Sequence, residues 1–205
     1  MAVKMILTDL DGTLLDENRQ ILPEGIKAIR KWKEAGGIFS FITGRPAFGV
    51  LSYGAQAGIN GPLVCCNGAE LAEAVLWDGS GEAPEIPVIQ RLGMKLSGLR
   101  PLMEAAKDSY QVIIYGDGGC EIIPAGCSKA EGMRELARRM GISPSQIMVL
   151  GDNANDVEML KAAGIGVAVA NGTEEAKACA DYVCREAYTL GVAEAIDKLM
   201  SGELD

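Results

Sequence analysis

The stretch Lys4-Met5-Ile6-Leu7-Thr8-Asp9-Leu10-Asp11-Gly12-Thr13 decides how the chain is read. A short apolar run ends in an Asp-x-Asp-Gly-Thr turn, the pattern of a buried strand that delivers acids to one end of a sheet. Asp9 and Asp11 stand two residues apart at that strand end, so their side chains project to the same side. Gly12 permits a sharp departure of the chain, and Thr13 offers a hydroxyl and an amide. The same residues read equally as a solvated Asp-Gly turn, and Asp-x-Asp alone does not separate the two.

Downstream, Pro23 opens a helix as its first residue. Ile26, Ile29, Trp32 and Ala35 follow near helical spacing, and Gly36-Gly37 stops it. Residues 38–42 form a second apolar strand closed by Thr43-Gly44-Arg45, Pro46 starts another helix, and 63–66 is a third strand. Strand alternating with helix predicts a parallel sheet with crossover helices. The alternation fails between about Gly68 and Cys127. There, 71–77 and 86–92 read as strands, Leu96, Leu99, Leu102, Met103 and Ala106 as a helical stripe, and Gly116-Asp117-Gly118-Gly119 as a hairpin turn between two more strands. From Ser128 the alternation resumes. Ser128-Lys129-Ala130-Glu131 fits a capping box that places Lys129 in the first turn of a helix reaching Met140. The strand at 147–150 ends in Gly151-Asp152-Asn153-Ala154-Asn155-Asp156 and is followed by a helix to about Ala163. A strand at 165–169, a helix from Thr173 and a last helix over about 191–200 complete the chain. The expected fold class is therefore α/β, a doubly wound parallel sheet with a small α+β cap inserted. Residues 1–67 and 126–205 make the core, and 68–125 a ββαββ cap.

Composition narrows the chemistry. The 205 residues include no histidine, which removes Ser-His-Asp and Cys-His catalysis, imidazole bases and His-ligated metals together. The six cysteines contain no C-x₂-C pair, which argues against a zinc cage, and reduced thiols in a cytoplasm are the expected state. A net charge of −9 disfavours general nucleic-acid binding. No apolar run approaches the ~18 residues that span a bilayer, and the segment after Lys4 is too short for a signal-peptide core. An acidic protein that binds an anion must gather positive charge locally, through a metal and a few placed cations.

The polar clusters fall just past strand ends, where open α/β sheets hold ligands. Asp9 is ionised at neutral pH and needs no base to act as a nucleophile. It needs relief from repulsion by an incoming phosphate, which Mg²⁺ with oxygen ligands supplies. Asp11 can protonate the leaving alkoxide and later deprotonate a water. Asp152 and Asp156, four residues apart, are unfavourably close without a cation, which makes both expected metal-site residues with Asp9 and Asp11, although N-capping of the next helix by Asp152 or Asn153 also accounts for the pattern. The Thr43 hydroxyl and the adjacent amides of Gly44 and Arg45 suit a phosphoryl oxygen at a helix start, and the Arg45 side chain reads either as a phosphate ligand or as a surface residue. Lys129 sits at the helix end that prefers anions, which suits a cation reaching toward phosphate and carboxylates.

Asp9-Leu10-Asp11-Gly12-Thr13, Thr43-Gly44-Arg45, Lys129 and Gly151-Asp152-Asn153-Ala154-Asn155-Asp156 resemble, in order, the four motifs of the haloacid dehalogenase superfamily of phosphatases. The last motif and the position of the insert resemble the Cof-type branch, whose cap is called C2. The short insert is similar to the reduced caps of archaeal phosphoglycolate phosphatases and small sugar-phosphate phosphatases. The resemblance implies a Rossmann-like core and hydrolysis of a small phosphorylated metabolite through an aspartyl-phosphate. It implies Asp9 as nucleophile and Mg²⁺ ligand, Asp11 as acid/base and backbone metal ligand, and Asp152 as the third protein ligand. It further implies Thr43 and Lys129 on the phosphoryl oxygens, Asn155 nearby, and Asp156 orienting Lys129 or the metal's waters. A phosphomutase or phosphotransferase using the same intermediate, and a non-catalytic phospho-Asp signalling domain, are the alternatives. Either a monomer or a homodimer is compatible, with the cap closing the site alone or with a second subunit.

Overall fold

The computed structural model describes residues 2–75, 85, 87–91, 110–114 and 120–204. Strand β1 (Met5–Thr8) lies between β8 and β2 in a sheet of order β10-β9-β8-β1-β2, formed with β2 (Ile38–Phe41), β8 (Ile147–Gly151), β9 (Ile165–Ala168) and β10 (Tyr182–Val183). All its pairings are parallel, with Met5 opposite both Ile38 and Ile147, and Leu150 opposite Val167. Every residue of β1 and β8 is buried, which explains why these strands read as continuous apolar runs rather than alternating ones.

The period of two sorts the strand side chains onto two cores. Ile6, Phe39, Phe41, Met148, Leu150 and Val167 pack with Ile29 and Trp32 of α1 (Pro23–Glu34), Ala57 of α2 (Leu51–Ala57) and Val192, Ala195 and Ile196 of α6 (Tyr188–Ser201). Met5, Leu7, Ile147 and Val149 pack the opposite way, against Ala130, Met133, Leu136 and Ala137 of α3 (Lys129–Met140), Met159 and Leu160 of α4 (Val157–Ala162) and Ala176 of α5 (Glu174–Cys179). Full burial of each large aliphatic or aromatic side chain is worth roughly 1.5–3 kcal/mol, so both faces must be covered. The sheet is doubly wound, as expected. Among the described residues no helix is long and apolar enough to cross a membrane.

Beyond β2, Ile42 bridges Val64 of β3 (Leu63–Cys65). Strand β3 pairs antiparallel with β4 (Glu70–Ala72), and β4 with β5 (Val88–Arg91). Strand β6 (Tyr110–Ile114) pairs antiparallel with β7 (Cys120–Pro124). The expected helix over 96–106, the turn at 116–119 and the ends of the strands at 77 and 92 lie outside the described residues.

Local expectations shift in three places. Pro46 does not begin a helix directly. It leads a 3₁₀ turn (Ala47–Gly49), and α2 starts at Leu51. The last helix begins at Tyr188 rather than near residue 191, because the Asn171 side chain accepts from the Tyr188 amide at 2.9 Å and caps it. At α3, Ser128 makes the serine half of the capping box, its Oγ accepting from Glu131 N at 3.3 Å, while the Glu131 carboxylate turns to Arg134.

Candidate active site

The chain leaves β1 toward β2 on one side and returns through β8 on the other, so the strand order reverses between β1 and β8. A crevice opens outside the carboxyl ends of strands at such a point. Asp9 follows β1, Thr43 follows β2, Asp152 follows β8, and Lys129 is the first residue of α3. Four segments far apart in sequence thus deliver their polar side chains to one end of the sheet.

Lys129 joins them. Its side chain is fully buried, with Nζ 2.8 Å from Asp9 Oδ2 and 2.6 Å from Asp156 Oδ1. A buried ammonium is tolerated only when paired and hydrogen-bonded, and these two carboxylates meet that need. Asp9 is 6% exposed, and its Oδ1 accepts from the Leu10 amide at 2.8 Å. Asp156 is buried and works mainly as an acceptor. Its Oδ2 takes the amides of Asp152 (2.9 Å) and Asn153 (3.0 Å), which curls the loop after β8 around it. Asn153 caps the 3₁₀ turn Ala154–Asp156 that precedes α4, its Oδ1 accepting from Ala154 N at 2.8 Å. Capping and charge clustering are therefore both present at this loop.

Asp152 Oδ1 accepts from the Thr13 hydroxyl at 2.6 Å, which pins the Asp-Gly-Thr turn to the β8 loop. Gly12 is required there. Its φ is +83°, and a Cβ on it would lie 2.4 Å from Asp152 Oδ2. Asp9, Asp152 and Asp156 each offer a carboxylate oxygen within 4.8 Å of the others. The charge is frustrated. Burial, the largest cause, pushes the Asp9 carboxyl up to about 8; Asp156 and Asp152 push the same way, and Lys129 pulls it down. Burial likewise raises Asp152 to about 6, against the Thr13 hydrogen bond. For Lys129 burial acts to lower the pKa but is outweighed by Asp156 and Asp9, so the ammonium is held above its usual range. A hard, oxygen-preferring cation would relieve both acids, and the cluster, made of carboxylates alone, suits Mg²⁺.

Asp11 and Arg45 form their own pair. Arg45 Nε and Nη2 grip the two Asp11 oxygens at 2.7 and 2.6 Å, and the guanidinium lies 5.0 Å from the Tyr53 ring centroid. The Asp11 carboxylate, half-exposed, is thus turned to the rim rather than into the cluster of the other three acids. Thr43 is buried, its hydroxyl accepting from Arg45 N at 3.1 Å, and Gly44 is half-buried beside it. Asn155 reaches Asn67, Nδ2 donating to Oδ1 at 3.2 Å.

A family model described as haloacid dehalogenase-like hydrolase matches residues 6–75 and 95–196. The chain belongs to the haloacid dehalogenase-like hydrolases. Within that family it is similar to the phosphoglycolate phosphatase of Methanothermobacter thermautotrophicus, 29% identical across 97% of this chain and 99% of that one. It is also similar to the 5-amino-6-(5-phospho-D-ribitylamino)uracil phosphatase of Bacillus subtilis, 25% identical across 95% and 94%. A solved structure of a hypothetical protein from Geobacillus kaustophilus superposes with a TM-score of 0.78 at 24% identity, covering 97% of this chain and 99% of that one. The matched ranges include Asp9, Thr43, Lys129 and Asp152.

Two residues at this end of the fold carry no sequence signal of function. Asn171 donates to the Gly12 carbonyl at 2.7 Å while capping α6. Asn67 marks itself in the sequence only as the last core residue before the expected insert.

Proposed function

We propose that the chain is a Mg²⁺-dependent phosphate monoester hydrolase acting on a small phosphorylated metabolite. The observation that carries this reading is the buried Asp9 carboxylate, held by Lys129 and flanked by Asp152 and Asp156, at the switch point of the sheet. Asp9 and Asp152, with the Asp11 main-chain carbonyl, would hold the metal, while Asp156, committed to Lys129 and two amides, orients rather than ligates. Bound there, Mg²⁺ would neutralise phosphoryl charge and lower the repulsion met by an attacking carboxylate.

A carboxylate oxygen of Asp9 attacks phosphorus, and the bond from phosphorus to the leaving oxygen breaks. Lys129 and the Thr43 hydroxyl, with the Gly44 and Arg45 amides, bind the phosphoryl oxygens. Asp11 gives its proton to the leaving alkoxide, then takes one from the water that attacks phosphorus, releasing phosphate and restoring Asp9. For this, Asp11 must rotate away from Arg45, so their ion pair is the resting position of the acid/base. The insert at 68–125, expected as a cap, would influence which leaving group is accepted. Relatives named for phosphoglycolate and for a phosphorylated ribityl compound favour a small organic phosphate as substrate.

Hydrolysis of p-nitrophenyl phosphate tests the reading. EDTA should stop phosphate release and excess Mg²⁺ should restore it. Turnover that continues in EDTA would refute the metal's role, and no turnover with Mg²⁺ would refute the phosphatase reading.

A further inference from the structure

The proposed mechanism leaves the backbone at Cys66-Asn67-Gly68 unexplained. All three residues have positive φ, at 50°, 47° and 91°. For residues bearing a Cβ this region is unfavourable, and such strain persists where the surroundings over-determine it, often beside a functional site. Here the surroundings are the phosphate-binding segments themselves. The Cys66 amide donates to the Arg45 carbonyl and the Asn67 amide to the Thr43 carbonyl, each at 3.1 Å. On the other side, a Cβ on Gly68 would lie 2.1 Å from the Ser128 carbonyl oxygen, just before Lys129. The left-handed run is wedged between the Thr43 loop and the first turn of α3.

Asn67 brings a carboxamide into that wedge. Its side chain is 1% exposed, and Oδ1 accepts from Asn155 Nδ2 at 3.2 Å. Both asparagines line one cavity of about 510 Å³, together with Ser128 and Lys129. That volume falls in the range of small-ligand pockets, roughly 300–1,000 Å³. A mere chain reversal would be served better by glycine, which adopts this φ without penalty. Asparagine tolerates it while adding a polar side chain, and here that side chain holds Asn155.

We propose that Asn67 is a positioning residue that fixes the Asn155 carboxamide on the wall of the cavity beside Lys129. The inference rests on the phosphatase reading of the site. Glycine at this position separates positioning from folding. Asn67→Gly keeps the main-chain donor to Thr43 and relieves the strain, which offsets part of the cost of deleting the buried carboxamide, so the variant should stay folded with a Tm within about 4 °C of the wild type. With p-nitrophenyl phosphate and Mg²⁺, kcat/KM should nonetheless fall about tenfold, the scale of a displaced active-site group. Asn155→Ala, at a half-buried site, should show the same loss, and the double variant should lose no more than Asn155→Ala alone, because the pair acts as a unit. Retention of activity in Asn67→Gly, a loss of activity accompanied by a fall in Tm of more than about 4 °C, or losses that multiply in the double variant would each overturn the assignment. An inactive wild type would remove the phosphatase reading and this role with it, whereas an active wild type with an unaffected Asn67→Gly removes only the role of Asn67.

Discussion

Asp9→Asn should abolish turnover, lowering kcat by about 10⁴-fold or more, as removal of a nucleophile does. Asparagine keeps the shape and the oxygen that accepts from Leu10, but its amide does not attack phosphorus. The same substitution should leave the fold intact. Burial already pushes the Asp9 carboxyl up to about 8, so near pH 7 without metal a neutral side chain suits this position as well as a charged one. Lys129 keeps Asp156 as its partner at 2.6 Å. In EDTA the Tm should drop by less than about 4 °C, roughly the effect of 1 kcal/mol in a chain of this size. Thermal unfolding and steady-state assays on one preparation check both halves. An inactive but unfolded variant would leave stability as the explanation, and an active one would remove Asp9 from the chemistry.

Lys129→Met should fail on both counts. Methionine approximates the length of lysine without its charge, so the buried Asp156 carboxylate would lose its ammonium partner and Asp9 would be driven further toward its neutral form. Breaking a buried pair in this way costs about 3–5 kcal/mol, a fall in Tm of roughly 6–20 °C at this chain length. Loss of one group stabilising the phosphoryl oxygens costs about 10²–10³ in kcat. Mg²⁺ should recover part of the stability, since it supplies positive charge to the same carboxylates, but not the rate. A variant as stable as the wild type in EDTA would show that the two ion pairs contribute little.

Much of the fold was legible because its decisive segments are short and buried on both sides. Residues 5–7 and 147–150 are unbroken apolar runs, and an acid follows each within two residues. The helix from Pro23 to Glu34 carries its own start signal and an apolar stripe. What escaped depends on contacts distant in sequence. Tyr182–Val183 is a strand only because β9 lies beside it. The start of α6 is set by Asn171, seventeen residues away. At the site, Asp9, Lys129 and Asp152 could be proposed from spacing and from motif resemblance, yet spacing did not reveal that Asp156 would accept two loop amides or that Arg45 would grip Asp11. Asn67 stood in the sequence only at the boundary between core and insert, and nothing at that boundary requires that the asparagine be buried.

The proposed chemistry requires a covalent bond between Asp9 and phosphorus. The direct measurement is to quench the protein in acid during turnover of p-nitrophenyl phosphate with Mg²⁺, reduce it with borohydride, and map the peptides by mass spectrometry. Reduction converts an aspartyl-phosphate to homoserine. The expected result is homoserine at position 9, dependent on substrate and absent from Asp9→Asn. Homoserine at another aspartate, or a phosphoryl group recovered on any other residue, would contradict the account.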